Sequence, residues 1–284
     1  MGKFNHILLT VDYDRTLTAP DSTVPARNLE AIRHFMENGG AFTLNTGRSV
    51  PMASSVLEKI PSNVPFLLYN GSAAYDREKQ ELRQQRIIDL DPEALVADLL
   101  ERFPGLTLEV QGTDAHYIFR KNPGWEAFNT HNCCPWAYAA ADRVPRPFLK
   151  FALYGEFRDK TVASMYEATP EERAQIDEAV AYVEKTYGHA VDVFRPCARI
   201  VDFHAKGVSK IKAARDLLKA LGRSVLVCVG DAENDIPMLE GADYAYCPAD
   251  GVVADRFETV CECAEGAVAD VIYKKIPEIA KVHP

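Results

Sequence analysis

Two short apolar runs that end in acids constrain this chain more than any other feature. Ile7 to Val11 (ILLTV) stops at Asp12, and Val225 to Val229 (VLVCV) passes through Gly230 into Asp231. Neither run alternates between apolar and polar residues. A strand built from either therefore has no face for water and must be covered on both sides, as in a parallel sheet flanked by helices.

The spacing around these runs supports that reading. Leu29, Ile32, Phe35 and Met36 recur at helical spacing, and Gly39-Gly40 closes the helix. Ala41 to Asn45 reads as a second strand, Val50 to Ile60 as a helix and Phe66 to Tyr69 as a third strand. The last third repeats the alternation. Strands are expected at Arg199 to Phe203, Val225 to Val229 and Tyr244 to Cys247, and helices at Val208 to Leu221, Ile236 to Glu240 and Gly266 to Lys275. Such alternation implies right-handed crossovers.

The middle third is patterned differently. Thr107 to Val110 and His116 to Arg120 read as strands joined by a turn at Gly112, and Leu149 to Tyr154 as another. Asp91-Pro92 and Thr169-Pro170 each open a helix with a cap followed by proline, and Glu171 and Glu172 follow in the second helix's first turn. At 284 residues the chain exceeds the usual size of a single core. The expected fold is α/β, a doubly wound parallel-sheet (Rossmann-like) core of residues 1–82 and 196–284. An inserted α+β domain is expected over residues 83–195.

Composition limits the function classes. The net charge is −9, from 32 Lys and Arg against 41 Asp and Glu, which argues against a dedicated nucleic-acid binder. No stretch approaches the roughly 20 apolar residues of a membrane span, and the N-terminus MGKFNHILLTVDYD lacks the long apolar region and cleavage site of a signal peptide. A cytoplasmic location is expected. The seven cysteines lack C-x-x-C spacing, so reduced thiols are expected rather than a zinc site.

Four segments at predicted strand ends carry chemistry-bearing residues, where open α/β sheets collect their ligands. In VDYDRTL, Asp12 and Asp14 lie two apart, with Thr16 behind them. Close carboxylates suit a hard cation such as Mg2+, or a nucleophile with a proton carrier; capping the next element is the plainer role. In LNTGRS, Thr46 offers a hydroxyl and Gly47 a close backbone approach to an anion, with Arg48 following; an ordinary helix cap is the alternative. In KGVSKIKAA, Lys210 begins a helix and is placed to reach a phosphoryl oxygen unless it belongs to a solvated face. In VCVGDAENDIPML, Asp231, Asn234 and Asp235 cluster within five residues, as half a metal site or as caps. His116, His131, His189 and His204 form no ligand spacing, and Trp125 and Trp136 read as packing residues.

In that order, D-x-D-x-T, T-G-R, a helix-initial lysine and G-D-x-x-N-D resemble the haloacid dehalogenase superfamily of aspartate-nucleophile phosphatases. The Cof-type branch is similar at Gly207 to Lys210, at Tyr69-Asn70-Gly71 and at Glu265 to Ala269. The room between Arg48 and Lys210 matches that branch's type II cap. The resemblance implies Asp12 as nucleophile and metal ligand, and Asp14 as general acid and then base, its carbonyl also on the metal. Thr46, Gly47, Arg48, Lys210 and Asn234 would bind the phosphorylated substrate, and Asp231 and Asp235 would complete and support a Mg2+ site. The implied reaction is hydrolysis of a small phosphate monoester such as a sugar phosphate, with no nucleic-acid or membrane partner. A phosphotransferase or mutase using the same aspartyl-phosphate, and a non-catalytic phosphate sensor, are the alternatives. The chain departs from the family at Arg15, where glycine is usual.

Overall fold

The computed structural model describes residues 2–155 and 168–283. Fourteen strands are present among them: β1 Ile7–Val11, β2 Ala41–Leu44, β3 Phe66–Leu68, β4 Ala73–Asp76, β5 Glu81–Arg83, β6 Thr107–Gln111, β7 His116–Ile118, β8 Trp136–Tyr138, β9 Lys150–Tyr154, β10 Val191–Cys197, β11 Ile200–Ala205, β12 Val225–Val229, β13 Tyr244–Pro248 and β14 Glu258–Val260. The chain divides into two compact units, one of Met1–Gly47, Val56–Gln84 and Ser209–Pro284, the other of Arg48–Ser55 and Gln85–Val208.

The first unit is built on a five-stranded sheet of order β14-β13-β12-β1-β2. Every neighbouring pair in it is parallel. Leu9 stands between Val227 and Phe42 at its centre. The β1 and β12 residues are all buried, as their unbroken apolar pattern requires. One cover of the sheet packs Leu8, Leu226 and Cys228 against Ala214, Leu217 and Leu218 of the helix Lys210–Ala220. A single parallel bridge from Asn45 to Leu67 continues the sheet toward the antiparallel strands β3, β4 and β5. The chain leaves β1 toward β2 on one side, while β12 and its successors lie on the other. The strand order reverses at the β1/β12 pair, and a crevice at the carboxyl ends of such a pair is where doubly wound folds bind ligands.

The second unit is a six-stranded sheet of order β10-β11-β9-β6-β7-β8, antiparallel except at β7/β8. Leu108, Val110, Phe151, Leu153, Val201 and Phe203 share a core with Leu95, Leu99, Ile176 and Val183. The last four come from the helices Pro92–Arg102 and Pro170–Tyr187. Asp91 caps the first of these helices through Ala94 N–H. The second has a full capping box between Thr169 and Glu172. The alternating strand residues Glu109, Gln111, Lys150, Asp202 and His204 point to the other face, and all are buried as well. The strand expected at Arg199 to Phe203 is β11, and it pairs antiparallel with β9 and β10 in this sheet. Its sequence IVDFHA alternates, which marks a two-faced strand rather than one sealed on both sides.

Candidate active site

The first unit brings the acidic segments together at the β1/β12 switch point. Asp12 N–H donates to Val229 O at 2.9 Å, carrying the ladder one residue past β1 and setting Asp12 beside the end of β12. Asp12, Asp231 and Asp235 are all buried, and each offers an oxygen within 4.8 Å of the others. Gly230 allows this convergence. A Cβ there would stand 2.7 Å from Asp235 Cβ and Cγ, closer than side chains can pack. Asp235 Oδ2 accepts from the amides of Asp231 and Ala232 at 3.1 and 3.3 Å, so its carboxylate closes its own loop. Thr16 Oγ1 donates to Asp231 Oδ1 at 2.7 Å.

Lys210 enters the cluster from the helix that Ser209 caps. Its Nζ donates to Asp12 Oδ1 at 2.5 Å and to Asp235 Oδ1 at 2.6 Å. Asn45 fixes the start of that helix by donating its Nδ2 to Lys210 O at 2.9 Å. Sequence reasoning passed over Asn45, although it immediately precedes Thr46 and ends a buried strand. Thr46 is pinned on both sides, its N–H on Leu67 O and its carbonyl accepting from Asn70 N–H, each at 3.0 Å. Gly47 lies so close to Asn70 that a Cβ would fall 2.9 Å from Asn70 Oδ1.

The other expected residues are placed less centrally. Asp14 lies exposed in the irregular turn Tyr13–Leu17, outside the buried carboxylate set. Asn234 is half-buried on the short turn Glu233–Asp235. Arg48 falls in the second unit, one residue beyond the segment that carries Thr46 and Gly47. Arg15 adopts φ 58°, which accounts for the glycine usual there, since this left-handed backbone favours a residue without a Cβ.

The electrostatics follow from three buried carboxylates and one ammonium. Burial pushes the Asp12 carboxyl well above its ordinary range, opposed by Lys210 and reinforced by Asp235, Asp231 and Asp14. Burial and then Asp235 push Asp231 to about 7. Burial works against the Lys210 charge, but Asp12 and Asp235 outweigh it and hold its pKa above the usual lysine value. Fully ionised, the three carboxylates would carry more negative charge than the one lysine neutralises. An all-oxygen set of carboxylates with surplus negative charge fits a hard divalent cation, not the softer metals that prefer nitrogen or sulfur.

Fold and site together define a hydrolase class in which carboxylates at the switch point of a parallel sheet work beside a metal ion. The chain belongs to the haloacid dehalogenase-like hydrolases, whose family profile matches residues 9–254. Hydrolases of this family typically use a metal ion. A Streptococcus pyogenes protein that carries the name of a phosphatase, M6_Spy0533, is 24% identical over 238 residues, 82% of this chain and 83% of that protein. The Bacillus subtilis 5-amino-6-(5-phospho-D-ribitylamino)uracil phosphatase YitU is 20% identical over 254 residues, 87% of this chain and 88% of its own length. Among solved structures, a haloacid dehalogenase-like hydrolase from Bacteroides thetaiotaomicron superposes with a TM-score of 0.77, covering 94% of this chain and 98% of that one at 17% identity. The subclass IIB sugar phosphatase BT4131 gives 0.71, covering 93% and 97% at 16% identity. The protein is therefore a hydrolase of this superfamily. No helix among the described residues is long and apolar enough to cross a membrane.

Proposed function

We propose that the protein hydrolyses a small phosphate monoester, a sugar phosphate or similar metabolite, with Mg2+ and through an aspartyl-phosphate on Asp12. The observation that carries this reading is the Lys210 ammonium held between Asp12 and Asp235 at the sheet's switch point. The substrates named for YitU and BT4131, a phosphorylated ribitylaminouracil and sugar phosphates, support the substrate class.

Asp12, Asp231 and the Asp14 carbonyl would hold the metal, with Asp235 behind them. When bound, Mg2+ neutralises charge on the carboxylates and on the phosphoryl oxygens. Asp12 attacks phosphorus in line while the bond to the leaving oxygen breaks, and Asp14 gives that oxygen its proton. Asp14 then takes a proton from water as it attacks the aspartyl-phosphate, which releases inorganic phosphate and restores Asp12. Lys210 offsets part of the burial that opposes ionisation of Asp12, and it neutralises the transferring group. Thr46, Gly47 and Asn234 complete the phosphate contacts, with Arg48 following in the chain. The second unit is the element proposed to discriminate among leaving groups.

The test is release of inorganic phosphate from p-nitrophenyl phosphate, with Mg2+ and with excess chelator, by the parent protein and by Asp12→Asn. Metal-dependent turnover that Asp12→Asn abolishes is expected. Full activity in chelator, or near-normal kcat in Asp12→Asn, would overturn the proposal.

A further inference from the structure

The second unit contains a hydrogen-bonded chain that the chemistry above does not use. Glu109 on β6, His116 on β7 and Ser49 are each 0% exposed. The Glu109 carboxylate accepts from Trp125 Nε1, from Gln111 Nε2 at 3.0 Å and from Asn129 Nδ2 at 3.3 Å. Burial alone would raise its pKa, but His116, with Trp125 and Tyr154, reverses that and holds it at about 2. His116 Nδ1 lies 3.1 Å from Glu109 Oε1, and His116 Nε2 lies 2.6 Å from Ser49 Oγ. Ser49 Oγ also accepts from Met52 N–H at 3.3 Å, at the start of the helix Val50–Leu57.

The order serine, histidine, carboxylate is that of an activated nucleophile. Burial excludes that use, because no substrate can approach a hydroxyl on a residue with no exposed surface. A helix cap needs only the serine. A carboxylate sunk beneath the cap is expensive to bury and, with the imidazole beside it, does more than satisfy one amide. It fixes where the helix starts. Ser49 stands two residues beyond Gly47, and the Arg48–Ser55 segment belongs to the second unit although the chain on both sides of it belongs to the first.

We infer that His116 and Glu109 are positioning residues for phosphate binding: through Ser49 they hold the start of this helix, and so the backbone of Thr46 and Gly47, in the shape that receives the phosphoryl group. The inference rests on the proposed phosphatase reaction. It assigns the phosphate-binding segment two supports about sixty residues away in the sequence.

The experiment measures KM and kcat for p-nitrophenyl phosphate, and the competitive Ki of inorganic phosphate, in Ser49→Ala, Ser49→Thr, His116→Gln, His116→Ala and the Ser49→Ala/His116→Ala double variant. Ser49→Ala and His116→Ala should raise KM and Ki together by about 5–30-fold, the factor for one or two kcal/mol of lost support, with a smaller effect on kcat. The double variant should be no worse than the worse single one, because both break the same chain. Ser49→Thr, which keeps the hydroxyl, should restore phosphate affinity. Unchanged Ki with only a lowered melting temperature would show a structural role and overturn the inference. So would additive losses in the double variant, or failure of Ser49→Thr to rescue. If the alanine variants do not fold, Ser49→Thr and His116→Gln decide: parental Ki in the first with a raised Ki in the second supports the inference, and any other pattern refutes it. Turnover lost in Asp12→Asn while Ki is unmoved in these variants would leave the phosphatase reading standing and this one refuted.

Discussion

Removing a carboxylate from the acidic cluster should stabilise the metal-free protein while destroying its activity. Asp231 is the sharpest place to test this, because burial and Asp235 raise its pKa from 3.8 to about 7. At about 1.4 kcal/mol per unit, a shift of about three units sets a ceiling near 4 kcal/mol for the penalty of ionising it in the fold. The sign follows from proton counting. Between about pH 4 and pH 7 the folded state holds a proton that the unfolded state has lost, so this group's contribution falls as pH rises through that window and stays low above it. Asparagine cannot ionise, and its side-chain oxygen can still accept the Thr16 hydroxyl. In chelator at pH 8, Asp231→Asn should therefore gain about 2–4 kcal/mol over the parent, or roughly 5–10 °C in melting temperature. At pH 5 the gain should shrink to about 1 kcal/mol, since the parent then has little left to ionise. Differential scanning calorimetry of both proteins at the two pH values measures this. Addition of Mg2+ at pH 8 should raise the parent's melting temperature and leave Asp231→Asn nearly unmoved. An equal difference at both pH values, or a less stable Asp231→Asn at pH 8, would refute the reasoning.

Three further outcomes are expected. Lys210→Met should destabilise the metal-free protein by about 3–5 kcal/mol in urea unfolding, because Asp12 and Asp235 lose their buried partner. Asp14→Asn should lower kcat by about 10²–10⁴, with the smaller losses on esters whose leaving group needs no proton, read by comparing p-nitrophenyl phosphate with an alkyl phosphate. Lys150→Met, which leaves Asp202 buried without its partner, should destabilise the protein by about 3–5 kcal/mol in urea unfolding; an unchanged midpoint would show that the pair does not support the fold.

The acidic end of the sheet was legible in sequence because its signals are local. An apolar run buried on both faces must be a strand in a covered sheet, and the residue where it meets an acid must lie near the strand's carboxyl end. Asp12, Asp231 and Asp235 are placed by that logic, and Lys210 by its position at the start of an expected helix. Thr16 was singled out only as a neighbour of the aspartates, and its bond to Asp231, 215 residues away, has no local signal. Asn45 is similar, its partner Lys210 lying 165 residues off. The strand β11 was expected among the alternating elements of the last third, and the alternation within its own sequence is the signal that separates it from β1 and β12. His116 was read as unremarkable because spacing rules look for ligands along the chain, and its partners come from β6 and from the start of the Val50–Leu57 helix.

Arg15 makes this site a natural recorder of selection. Its backbone sits at φ 58°, where a side chain costs about 1 kcal/mol and glycine costs nothing comparable. A population of variants screened only for thermal persistence should drift at this position toward glycine or asparagine. A population screened for turnover of the natural ester should keep arginine if the guanidinium serves the reaction, and should drift in the same way if it does not. Sequencing position 15 after the two screens would therefore separate foldedness from use at one codon, without the substrate being known in advance.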